Sequence, residues 1–135
     1  MALIGLVASL ASPTLFSYWR AAKLSAGAVE LQTVLNRGRH EAIRRNDSVC
    51  VEHVGARIRL RLSTCGGSVI TVPGTDASGW FTLVNDIEVS GNTASVAFTY
   101  LGAASVPGQY TVRNRAYTAH TTTVSVGSSG RVTVP

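Results

Sequence analysis

The chain has 135 residues, which leaves room for one small globular domain beside a helix and excludes a second. Charged residues are only 14% of it, against ~25% in ordinary soluble domains, so the surface must use many Ser, Thr, Asn and Gly groups. The formal net charge of +5, with a sequence pI near 9.9, disfavours cationic ligands and suits anionic ones such as nucleic acid or lipid headgroups. Arginines placed where a helix leaves a membrane account for it more simply. There is no internal repeat and no low-complexity linker beyond Gly127-Ser128-Ser129-Gly130.

The first element spans residues 1–46. No charged residue precedes Arg20. After it, Leu24, Ala28, Leu31, Leu35 and Ala42 recur at helical spacing. One long helix is predicted, apolar all round over 1–19 and apolar on one stripe over 20–46. At ~1.5 Å per residue it reaches on the order of 65–70 Å, and the 89 residues that follow cannot bury it. Its first half needs lipid or the same helix of other subunits. A cleaved secretory signal would need a basic n-region, and here the apolar run begins at Met1. A plain transmembrane span is near its minimum of ~17–25 residues, and Ser9, Ser12, Pro13 and Ser17 make it a polar one. A buried core helix would carry a polar flank. The reading that fits best is an anchor that also packs against other helices, through Leu3, Ile4, Leu6, Val7, Leu10, Pro13, Leu15 and Phe16. Pro13 is expected to kink or locally melt the helix, a defect that neighbouring helices tolerate.

Arg37, Arg39, Arg44 and Arg45 complement the helix C-terminal dipole, and Asn46-Asp47-Ser48 signals its end. Residues 47–135 then read as a β-rich head. Val49, Val51 and Val54 begin a strand, and Val54-Gly55-Ala56-Arg57 turns the chain. Arg57–Leu62 alternates strictly, with Ile58, Leu60 and Leu62 on one face. Its arginines form a solvated face that discourages edge pairing, or alternatively a basic ridge for DNA or an acidic neighbour. Further strands are expected over 68–72, 80–84, 94–101, 109–113, 121–126 and 131–134. One helix followed by short β-branched strands is an α+β pattern, with the stripe of residues 24–42 lying on an antiparallel sheet.

A resemblance now becomes specific. An apolar segment containing proline, followed by an amphipathic helix ending in Arg39-His40-Glu41-Ala42-Ile43, resembles the type IV pilins, and within them the minor pilins and type II secretion pseudopilins of the GspH/FimT/FimU type. Gly79-Trp80-Phe81 with Asn85-Asp86, then Phe98 with Gly102, then Gly130-Arg131-Val132, are similar to that family's later landmarks in order. The resemblance implies the type IV pilin fold and a part in assembly. The subunit would sit in the inner membrane of a Gram-negative bacterium with a periplasmic head. It would later pack with major and minor pilins in an extracellular filament, at or near its tip. Pilus assembly, adhesion and DNA uptake are the implied roles, with a minor pseudopilin of type II secretion as the alternative. The family's prepilin cleavage site, N-terminal aromatic and glutamate have no counterpart in the sequence, so the chain reads as N-terminally truncated. Arg20 and Lys23 would then lie on the outer side of the membrane, against the positive-inside tendency.

No catalytic set is evident, so neither an enzyme nor a cofactor is expected. His40, His53 and His120 lack metal-ligand spacing, and His40-Glu41 fails the H-E-x-x-H pattern because Arg44 stands at the second ligand position. Asp76, Asp86 and Glu88 suit turn and cap roles better than a cation. Trp80 is expected to anchor the sheet–helix core. Cys50 and Cys65 are the only cysteines, and an even count in an exported protein favours a disulfide. A hairpin turning at Gly55-Ala56 places Cys50 opposite about Arg61, so the chain must bend after Leu62 for the bond to form. Gly66-Gly67 allows that, and two buried free thiols are the alternative. Arg113, Arg115 and Arg131 are candidate DNA contacts. The resemblance to FimT-type pilins implies DNA binding through a C-terminal G-R-x-R segment, in which Thr133 here replaces the second arginine, so any binding should be weak, sequence-independent and lost by ~200 mM salt.

Overall fold

The computed structural model describes residues 2–135 apart from 86, 92–94 and 116–119, with side chains from Ser17 onward. A single helix, α1 (Ala2–Arg45), precedes the strands β1 (Val49–Val54), β2 (Arg57–Leu62), β3 (Trp80–Thr82), β4 (Ile87–Gly91), β5 (Val96–Phe98), β6 (Ala104–Val106), β7 (Gly108–Asn114), β8 (Thr121–Val126) and β9 (Val132–Thr133). Helical backbone continues across Pro13, so the proline does not melt the helix. The side chains of Leu3, Ile4, Leu6, Val7, Leu10, Pro13, Leu15 and Phe16 lie outside the described residues. The helix ends where the turn signal lies. Asn46 takes φ 53°, and the amides of Asn46 and Asp47 bond back to the carbonyls of Ile43 and Ala42. Asparagine adopts that left-handed conformation more readily than most residues do.

All strand pairs are antiparallel, but they form two sheets where the alternation suggested one. The first has the order β3-β2-β1-β5-β6 and the second β4-β7-β8-β9. β1 is occupied on both edges, by β2 and β5, so β4 pairs with β7 instead. The stripe read from the sequence is the buried face of the helix. Leu24, Ala28, Leu31, Leu35 and Ala42 are all buried, and Val34 joins them. They pack on Val51, Leu60 and Phe98 of one sheet and on Ile87, Val112 and Val124 of the other, in one core. Gly27 and Gly38 let the helix approach closely. A Cβ on Gly27 would overlap the Ile87 side chain, and one on Gly38 would sit 3.1 Å from Leu60.

The differences from the expected strands have local causes. Residues 68–72 make one bridge, Val69 with Arg61, because the chain is still leaving the bend at Gly66-Gly67. β3 stops at Thr82 because the Leu83 amide turns to the Ala56 carbonyl. β5 ends at Phe98, where a tight turn from Thr99 to Ala103 begins. β4 and β6 were not anticipated; three residues of alternation in Ile87-Glu88-Val89 are too few to stand out.

Leu24 is the first buried helix residue among those described, while Tyr18, Trp19, Ala21 and Ala22 are exposed. A protein starting at Ala21 therefore keeps every described core contact of the helix. It is expected to unfold in one cooperative transition in a thermal melt; a soluble protein without such a transition would show that the core needs residues 1–20.

Candidate functional site

The C-terminal turns of α1 are built around a buried acid. The Glu41 side chain is 5% exposed, and its Oε2 accepts from Arg44 Nη2 at 2.8 Å and Arg45 Nε at 2.9 Å, with Arg37 Nε 3.7 Å from Oε1. Burial pushes its carboxyl pKa up, but the hydrogen bonds and charges of Arg44 and Arg45 outweigh that and hold it below the ordinary value. Stability from a lowered carboxyl pKa is fully present above the ordinary glutamate range and is lost as pH falls through the folded value. Glu41→Gln is expected to cost about 2 kcal/mol at pH 7, the scale of hydrogen bonds to a charged group. The gap from the unsubstituted protein should narrow below about pH 4. Urea unfolding at the two pH values measures both; an equal gap at each would contradict this role.

The sequence landmarks meet at the same end of the helix, against Ile43 and Arg39. Gly102 and Gly130 both have φ +85°, a region side chains rarely adopt. A Cβ on Gly130 would overlap the Gly102 carbonyl oxygen, and one on Gly102 would lie 3.0 Å from Ile43 Cδ1 and 3.1 Å from Arg39 Nε. The segments at 39–43, 98–102 and 130–132 thus form one packed corner, with backbone blocking a side chain at Gly130 and the Ile43 and Arg39 side chains crowding one at Gly102. Asn85 is tied down as well, since Glu30 Oε2 accepts from its side-chain amide at 2.8 Å and Glu30 Oε1 from the Val84 amide at 3.1 Å. Glu30 was not singled out in the sequence, although it is the one acid among residues 20–40. Asp86 lies outside the described residues.

The arginine face of β2 is organised by Glu52. Its carboxylate accepts from Arg59 at 3.0 Å and Arg61 at 2.6 Å, and these two bonds outweigh burial and hold its pKa down. Trp80 pairs in register with Arg59 and lies under the guanidinium groups of Arg57 and Arg59, 4.8 and 4.1 Å from the ring centroid. It therefore stacks on the outer face instead of anchoring the core as expected; its neighbour Phe81, opposite Ile58, faces inward. Cys50 and Cys65 form a disulfide with Cα atoms 5.1 Å apart. Cys50 does sit opposite Arg61, and the bend after Leu62, with Ser63 at φ 70°, carries Cys65 back to it. Arg61 Nη1 also holds the Gly67 carbonyl at 2.8 Å.

The candidate DNA contacts do not come together. Arg113 is paired with Glu88 across β7 and β4 at 2.8 Å, and Arg115 follows it at the same end of β7. Arg131 lines a hollow with Gly108 and Gln109 at the other end. The charge is also elsewhere. Residues 1–46 carry six basic and two acidic side chains, and residues 47–135 six and five. Asp76 serves a turn, accepting from the Ser78 and Trp80 amides. Among the described residues, no group of three His, Cys, Asp or Glu side chains is placed to hold a metal. His53 packs edge-on to Tyr110 and burial lowers its pKa; the Tyr110 hydroxyl, pushed up to about 12 by burial, accepts from the Val96 amide. A cleft of about 590 Å³ between α1 and β3 includes Glu30, Arg37, His40 and Phe81, and Glu30 is already used there as a structural tie. Among the described residues no helix is long and apolar enough to cross a membrane.

One long helix laid across two antiparallel sheets, locked at its end by paired glycines, is the α+β architecture of the type IV pilin fold. Minor pilin FimU of Pseudomonas aeruginosa superposes with a TM-score of 0.63 at 17% identity, covering 87% of this chain and 92% of that one. Minor pseudopilin EpsH of the Vibrio cholerae type 2 secretion system gives 0.62 at 12% identity, covering 84% and 96%. No curated protein matches by sequence. Residues 27–130 match the family described as "Type II transport protein GspH", and the chain belongs to that family.

Proposed function

We propose that the protein is a minor pilin of a type IV pilus system, built into the filament at or near its tip and supporting pilus assembly. The observation that carries this reading is the helix surface that the head leaves bare. Tyr18, Ala21, Ala22, Ser25, Ala26 and Val29 form an exposed, mostly small and apolar stripe on α1, a surface on which another helix can close. Residues 1–16 continue it without a charge, so the same segment can serve as an inner-membrane anchor before assembly and as filament core afterwards. The head then lies in the periplasm and finally on the filament. Catalysis has no part in this role. DNA contact is at most a weak accessory property, because the head carries a basic surplus of one side chain and its candidate arginines are split between two ends of a strand.

Deleting the gene and counting surface pili tests the reading. Loss of pili with secretion of folded enzymes intact is expected, with restoration by the gene in trans. Intact pili with lost secretion would establish the pseudopilin role instead.

A further inference from the structure

The cleft of about 590 Å³ between α1 and β3 has the size of a binding pocket, ~300–1,000 Å³. Val34 and Leu83, both buried, give it an apolar floor. Its helix wall runs from Glu30 to His40, on the order of 15 Å at ~1.5 Å per residue. That wall is polarised. At one end Glu30 is occupied, since its carboxylate accepts from the Val84 amide at 3.1 Å and from the Asn85 side chain at 2.8 Å. At the other end stand Asn36, Arg37 and His40, whose side chains make no hydrogen bond among the described residues. Arg37 reaches Glu41 only at 3.7 Å, beyond hydrogen-bond distance, so its guanidinium donors are open. Glu41 is already matched by Arg44 and Arg45, which leaves surplus positive charge at this end.

The opposite wall is a strand edge with an open backbone pair. The Leu83 amide bonds to the Ala56 carbonyl on the β2 side. Peptide groups of an antiparallel pair alternate in direction, so the Thr82 amide and carbonyl point away from β2. Val84, two residues on, points the same way and meets Glu30, so this edge faces α1. Trp80, two residues back, is closed by Asp76 through both its amide and its carbonyl. Thr82 is left between them on the wall of the cleft.

We infer that the cleft takes an extended, acidic segment of another protein, with its backbone bonded to Thr82, a carboxylate held by Arg37, Asn36 and His40, and its neutral part toward Glu30. An open strand edge selects extended backbone, and the cleft matches about four or five extended residues at ~3.3 Å each. Open donors around a cation select a carboxylate. A nucleic acid strand would instead set phosphates along the whole cleft, one of them against Glu30. Only the folded head is needed, so this binding stands whether or not the chain enters a filament.

Selection of linear random heptapeptides on phage against the full chain in detergent tests this, followed by fluorescence anisotropy with the selected peptides labelled with fluorescein. The selected peptides should carry Asp or Glu at one fixed position among uncharged, β-branched residues. Arg37→Gln should raise their Kd about tenfold, the scale of a hydrogen bond to a charged group. Thr82→Pro should raise it about fivefold, because proline removes a donor that β2 does not use and an edge position tolerates it. Thermal melts check both variants, and Arg37→Gln decides alone if Thr82→Pro does not fold. No selected peptide, selected peptides without an acidic position, or a Kd unchanged by Arg37→Gln would each overturn the inference. So would displacement of the peptide by an equal concentration of free glutamate, which would leave a pocket for a lone carboxylate. Self-association of the chain that Arg37→Gln abolishes would overturn it too, by placing a second copy in the cleft.

Discussion

Replacing Gly130 with alanine is expected to destabilise the head by about 3 kcal/mol or more, the sum of a strained left-handed backbone and a steric overlap. Two independent features act there. The residue holds φ +85°, and the added methyl group would overlap the Gly102 carbonyl oxygen, which is backbone and cannot rotate away. The turn would have to move off Ile43 and Arg39 of α1. Arg131→Ala, one residue on, removes an exposed side chain and should change stability by no more than about 0.5 kcal/mol. Chemical denaturation of the two variants side by side gives the comparison. Equal stabilities would mean that the glycine pair does not hold the corner.

The second large effect is expected at the disulfide. Closing 15 residues between Cys50 and Cys65 restricts the unfolded chain by about 3 kcal/mol in the loop-entropy model. For a head of about 90 residues, where the core alone is marginal, that is a large share of the total. Cys50→Ala/Cys65→Ala should therefore lower the urea midpoint well below that of the oxidised protein. Amides of the bend at residues 63–69 should lose protection from hydrogen exchange first, because Arg61 to Gly67 and the Leu62–Ser68 bond are then their main ties to the sheet. A variant as stable as the oxidised protein would show that these bonds suffice without the bridge.

Much of this was legible in the sequence because it depends on period. The helix stripe of Leu24, Ala28, Leu31, Leu35 and Ala42 and the alternation of Arg57–Leu62 each name an inward face; the stripe is buried throughout, and of the strand face Ile58 and Leu60 are buried while Leu62 is partly so. The hairpin register that sets Cys50 opposite Arg61 followed from one turn position. What stayed hidden depends on contacts between distant segments. Periodicity cannot show that β4 leaves the first sheet, since both edges of β1 are filled by strands far apart in sequence. Trp80 was expected to anchor the core, yet its register opposite Arg59 and its stacking under Arg57 and Arg59 put it on the outer face. The glycines at 102 and 130 were visible only as family landmarks. Their reason, a backbone-to-backbone contact beside Arg39 and Ile43, exists only once the chain is folded. Glu41 was recognised by position and not by its work of holding Arg44 and Arg45.

The most direct measurement is quantitative mass spectrometry of filaments sheared from the producing cell and purified away from membranes. If the protein is a minor pilin built in through its helix, its peptides should accompany the major subunit through every purification step, at a small and constant ratio to it. Filaments that assemble normally and contain none of it, with the whole pool left in the cell envelope, would contradict that.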